Sequence, residues 1–120
     1  MATLQSVDFG RANRSLDGVS GDTSDVLGNS FAIVGPGRVD ISWNKIVGGT
    51  GSFSALSVAL QGSIDNVNWK ALDTDTATAT DALRSVVAEC PLYLRTIKNS
   101  STTASGTPTV TTDIIVRKSQ

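Results

Sequence analysis

A hydrophobic alternation of period two, repeated in three separate stretches, narrows the possible folds of this chain more than any other feature. Between Arg38 and Val47, the residues Val39, Ile41, Trp43 and Lys45 fall on one side, and Asp40, Ser42, Asn44 and Ile46 on the other. After Phe53, Leu56, Val58 and Leu60 alternate with Ser57, Ala59 and Gln61. Between Thr109 and Arg117, Val110, Thr112, Ile114 and Val116 alternate with Thr111, Asp113, Ile115 and Arg117. Successive side chains of a strand point to opposite faces, so each stretch reads as a strand with one face buried.

The segments between these stretches carry turn chemistry. Gly35-Pro36-Gly37 stops the short apolar run Phe31 to Val34, and Gly48-Gly49-Thr50-Gly51-Ser52 reads as a flexible connection. Gly62 to Asn66 supply a tight turn, since Asp65 can bond its own backbone and Asn66 tolerates positive φ. A second strand of that hairpin is expected over Val67 to Leu72, with Trp69 packed inside as an anchor. Asp73 to Asp81 reads as an exposed edge or loop, and Leu83 to Ala88 as a strand. Leu92 to Lys98 reads as a strand with Leu92 and Leu94 on one face, and Asn99 to Pro108 as a Ser/Thr/Gly loop. No stretch shows the 3.6-residue apolar period of an amphipathic helix. The chain is therefore expected to be all-β, a single β-sandwich with jelly-roll or Greek-key connections over residues 30–120. Residues 1–29 carry only scattered apolar groups and read as an extended N-terminal arm. It is either a free tail or a strap that docks on a neighbouring subunit.

The same residues weigh against catalysis. Histidine is absent, which removes the usual general base near neutral pH and the commonest metal ligand. Cys90 is the only cysteine, and it reads as a small buried hydrophobe. Glu89 is the only glutamate, so a pair of catalytic carboxylates would have to come from aspartates in no recognisable active-site context. Asp73, Asp75 and Asp81 are the best candidates for a hard cation, but their spacing fails a calcium loop; Asp17, Asp22 and Asp25 are weaker still. The glycine clusters lack the Lys-Ser/Thr pair of a phosphate loop. The expectation is a protein without enzymatic activity, catalytic residue, metal or cofactor. Ten basic and eleven acidic residues are interspersed along the chain, which provides no field for nucleic acid or anionic lipid. The N-terminus lacks a signal-peptide pattern and no apolar run is long enough to span a bilayer, so synthesis and retention in a cytoplasm are expected. Trp43, Trp69 and Tyr93 raise the possibility of an aromatic platform for a sugar, although the alternation assigns Trp43 to the core.

Gly62-Ser63-Ile64-Asp65-Asn66-Val67-Asn68-Trp69, then Tyr93-Leu94-Arg95, a Ser/Thr/Gly loop and the closing strand from Thr109, form a recurring order of motifs. Over residues 53–117 this order resembles small β-sandwich virion proteins of tailed bacteriophages and, more distantly, discoidin-type jelly rolls. The usual Gly after the Asp is Asn66 here. The resemblance implies a virion structural protein, most directly a head decoration or cement protein that binds and stabilises the outer capsid surface. Its implied partners are the major capsid protein and further copies of itself as a homo-oligomer. A tail or neck adaptor, a fibre component, and a glycan-binding module for host attachment are the alternatives. Contact residues are expected in the arm: Leu4, Val7, Phe9 and Leu16 as apolar anchors, with Arg11 and Arg14 available to carboxylates.

Overall fold

Ten strands make up the described residues, 3–34, 37–89 and 92–118, of the structure, a computed structural model. They are β1 (Leu4–Ser6), β2 (Asn13–Arg14), β3 (Val26–Leu27), β4 (Ser30–Ala32), β5 (Arg38–Gly49), β6 (Ser52–Ser63), β7 (Lys70–Asp75), β8 (Asp81–Glu89), β9 (Tyr93–Ser105) and β10 (Pro108–Lys118). One sheet runs β1-β4-β9-β6-β7 with β3 also paired to β9; the other runs β2-β10-β5-β8. The expected all-β sandwich is what forms. Its inner faces are the alternating sets read from sequence: Val39, Ile41 and Trp43 on β5, Leu56, Val58 and Leu60 on β6, and Val110, Ile114 and Val116 on β10 are all buried in one core. Burying a side chain of this size contributes roughly 1.5–3 kcal/mol, so these nine residues dominate what holds the sheets together.

Several expectations change. The stretch Asn99 to Pro108 is not a loop: β9 continues to Ser105, and Ser100, Ser101 and Thr102 pair with Ser57, Leu56 and Ala55. The second strand of the hairpin turned by Gly62 to Asn66 starts at Lys70 rather than Val67, because the Asp65 carboxylate accepts the amides of Val67 (2.9 Å) and Asn68 (2.8 Å) and holds them in the turn. Asn66 adopts φ of 60°, as its place in that turn requires. Asp73 to Asp81 divides into the end of β7 and a loop over residues 76–80. Gly48 to Ser52 is a tight hairpin rather than a flexible connection. Gly51 has φ of 75°, and a Cβ there would stand 1.9 Å from the Ser105 carbonyl oxygen, where the β5–β6 and β9–β10 hairpin tips press together. The expected turn residues Gly35 and Pro36, and Cys90, lie outside the described residues.

The N-terminal segment is woven into both sheets of its own sandwich. It runs down the edge of one sheet as β1, crosses beneath to pair with β10 as β2, climbs to the opposite end, and returns as β3 and β4 against β9. Polar side chains hold the crossing. Asn13 donates to the carbonyls of Asp8, Arg11 and Ile114 at 2.9–3.1 Å, and Ser15 donates to Asn29 while accepting the Thr96 amide. Leu16 is fully buried between them. One side of the sandwich is thereby sealed, while β7 and β8 border the other.

Candidate interaction surface

The expected contact residues do not form one surface. Leu16 is inside the core and unavailable to a partner, because the Thr112 hydroxyl accepts its amide and fixes it there. Val7 and Phe9 are half-buried against the same core, with Lys118 over the Phe9 ring at 5.4 Å. Leu4 is exposed on β1. Arg11 lies 3.9 Å from Asp8, and Arg14 bonds Asp113 at 2.9 Å, which holds its guanidinium above the usual value. These arginines stabilise the segment's own path across the protein.

The acidic residues of the β7–β8 region do come together, around the protein's own cations. Lys45, completely buried, meets Asp75 at 3.1 Å and donates to the Ala77 carbonyl. Arg84 bonds Asp73 through two nitrogens (2.8 and 3.0 Å) and Asp81 through a third contact of 2.9 Å. The Trp43 indole N–H donates to the same Asp73 carboxylate at 2.9 Å. The bond to Arg84 is the main reason the Asp73 carboxyl is held below its usual value, against the opposing pull of burial. A cation is thus already supplied to the three aspartates by the chain, and their arrangement clasps β7 to β8 across the open side. No cluster of metal-ligating residues occurs among the described residues.

The aromatic residues are likewise separated. Trp43 is buried in the core as expected. Trp69, expected inside, is half-buried on the outer face of the other sheet, with the Arg95 guanidinium 4.0 Å from its ring centroid. Arg95 follows Leu94 on β9, so it points away from the core, and its Nε donates to Gln61 at 2.8 Å. Burial under the indole pushes the Arg95 guanidinium below its usual value. Tyr93 is half-buried one step along the same face, opposite Ser63.

The surface that sequence reading missed lies at the end of the sandwich where β4, β6 and β8 finish. Ile64 and Val67, in the turn after β6, are 71% and 75% exposed. Leu92 accompanies them, since its amide donates to the Ser63 carbonyl at 3.0 Å, and Val34 follows Ile33, whose amide donates to the Leu92 carbonyl at 2.7 Å. Four large apolar side chains therefore project from one end. A groove of about 360 Å³ opens beside them between Ile64, Leu72 and Ala88, with Lys70 and Glu89 on its rim. An apolar floor with a charged rim is the composition of a site that takes an apolar side chain from another protein. Asp65 keeps this turn rigid: it also accepts from the Asn68 side chain and the Ser63 hydroxyl, and these bonds hold its carboxyl well below the usual range. The sequence signal was available, because Ile64 and Val67 are apolar residues flanking a turn. Reading Val67 as the start of a strand concealed it.

No protein-family profile matches the chain, and no curated protein matches it. It is similar to the solved structure of the SPBc2 prophage-derived protein YomS, at 15% identity and a TM-score of 0.47, covering 92% of this chain and 99% of that one.

Proposed function

We propose that this chain is a non-enzymatic bacteriophage virion protein, a head decoration protein that seats on the outer capsid surface through its apolar end. The observation that carries the reading is the projection of Val34, Ile64, Val67 and Leu92 from a single end beside an apolar groove. Exposed apolar groups gathered in this way are what a protein interface uses and what an isolated domain avoids. The resemblance of residues 53–117 to small virion sandwiches supplies the biological setting. A cemented lattice needs stiff, interlocked modules, and a sandwich with two long hairpins and a sealed N-terminal segment meets that need.

The test uses Ile64→Glu and Val67→Glu together. Both side chains are exposed and the turn is held by backbone bonds to Asp65, so the fold is expected to persist. Co-sedimentation with empty capsids of the phage that encodes the chain is expected to weaken by more than about tenfold, roughly the 1.4 kcal/mol or more that losing apolar anchors costs. Undiminished binding would sink the docking reading. Cryo-microscopy of particles carrying added protein separates head from tail attachment, and a glycan array tests the rival that Trp69 and Tyr93 face a sugar.

A further inference from the structure

The two sheets have four edges, and the described residues protect three of them. β1, β2 and β3 have three, two and two residues, too short to template another strand, and beyond β3 the Asp22 carboxylate accepts the Thr103 amide of β9. β7 has six, opens with an exposed Lys70, and is broken by a bulge opposite Leu60 and Gln61. β8 differs: it is nine residues long and, among the described residues, pairs only with β5. Its outward side chains are Leu83 (68% exposed), Ser85 and Val87 (54% exposed), with no proline or lysine in the strand. Its one basic residue, Arg84, is turned inward to Asp73 and so does not guard the edge. A bulge sits at Ala82 and Leu83, opposite Asn44, and pairing with β5 is regular from Arg84 to Glu89.

We infer that β8 is the edge through which two copies of this chain join, antiparallel, into one continuous sheet. The inference deepens the reading of the chain as a structural module used in several copies. What selects a second copy over another strand is the self-complementarity of the sequence. Side chains on one face of a strand are an even number of residues apart, so a two-fold axis perpendicular to the sheet must pass through a residue. An axis at Ser85 sets Leu83 opposite the partner's Val87, twice, and joins the two serines at the centre. Apolar groups meet apolar groups, and backbone N–H and C=O groups pair along the strand. At the end of this register Glu89 already has Arg38 beside it at 3.9 Å, and beyond the bulge Asp81 lies opposite the inward Lys45, with Arg84 at 2.9 Å. The contact is one strand wide, which makes the dimer weak in dilute solution and populated where a lattice concentrates the copies.

Sedimentation equilibrium over a wide concentration range, paired with amide hydrogen exchange, tests the inference. Wild-type protein is expected to form a reversible dimer, with the outward-pointing amides between Arg84 and Glu89 gaining protection as concentration rises. Ser85→Lys sets two ammonium groups against each other at the axis and is expected to weaken the dimer by at least about tenfold. Val87→Lys, a second exposed position, is expected to do the same, with thermal midpoints unchanged in both. Ile64→Glu is expected to leave the dimer intact. A wild-type protein that stays monomeric, a dimer indifferent to Ser85→Lys, or one broken by Ile64→Glu would overturn the inference. Val87 also lines the groove at the apolar end, so Ser85→Lys is the variant that reads the dimer alone, and the Ile64/Val67 variant reads capsid binding separately.

Discussion

Lys45 and Lys98 are both fully buried, and the sandwich holds them differently. Lys45 faces Asp75, whose carboxylate is as deeply buried as the ammonium. Lys98 donates to the Gly21 carbonyl, and its nearest charge, Asp22, is exposed and already occupied by Ser101 and Thr103. Burial accordingly pushes the Lys98 ammonium below its usual value, with Asp22 opposing. Removing one member of a buried ion pair strands the other, whereas removing a buried charge that strands nothing relieves desolvation. Lys45→Met leaves the buried Asp75 to the more distant Arg84 guanidinium at 3.8 Å and is therefore expected to lower stability by about 3 kcal/mol, and Lys98→Met by less than about 1 kcal/mol or even to raise it. Urea unfolding midpoints of the two variants check the difference; equal losses would contradict it. Neither role was legible in the sequence. Lys45 read correctly as an inward position because its alternation with Val39, Ile41 and Trp43 is local, but its partner Asp75 lies thirty residues on and is brought to it only by the fold.

At the scale of the strand, what the sequence disclosed depended on hydropathy contrast. β5, β6 and β10 alternate apolar with polar residues and were readable to within a few positions. The second half of β9 is Ser, Thr and Ala, of which only Thr favours strand and none supplies hydropathy contrast, so the paired strand reads as a loop. The inward path of the N-terminal segment was hidden for the same reason, because Asn13 and Ser15 are held by hydrogen bonds rather than by an apolar stripe. Trp69 was misplaced because Arg95, which covers it, is remote in sequence. The hairpin tips offer a prediction of their own. Gly51→Ala introduces a Cβ at positive φ and into contact with Ser105, so a loss of more than about 2 kcal/mol is expected, beyond the 1–2 kcal/mol of the backbone conformation alone. Gly18→Ala, also at positive φ but in open space, is expected to cost only that smaller amount. Thermal melts of the pair separate conformational strain from collision.

For the whole molecule, the carboxylates Asp22, Asp65 and Asp73 share a direction. Each is held below the ordinary value of 3.8, Asp22 and Asp65 chiefly by backbone hydrogen bonds and Asp73 by Arg84. The unfolded chain then binds more protons than the folded one in acid. Stability from these groups is complete above about pH 4 and is lost as pH falls through the folded values. The melting temperature is expected to be nearly flat from about pH 7 to about pH 5 and to drop steeply towards pH 2. Asp65→Asn is expected to melt lower at neutral pH and to show a shallower acid drop; a parallel curve would exclude Asp65 as a contributor.

The path of residues 3–32 also has a consequence in time. β2, β3 and β4 dock on β9 and β10, which are synthesised well after them, so this segment finds its place only once those later strands exist. Until those strands are made, that segment must wait in water without them. Its sparse, widely spaced apolar residues and its dependence on hydroxyls and amides for docking suit such a wait, since a richer hydrophobic stretch left unpaired for so long would recruit its neighbours on the polysome.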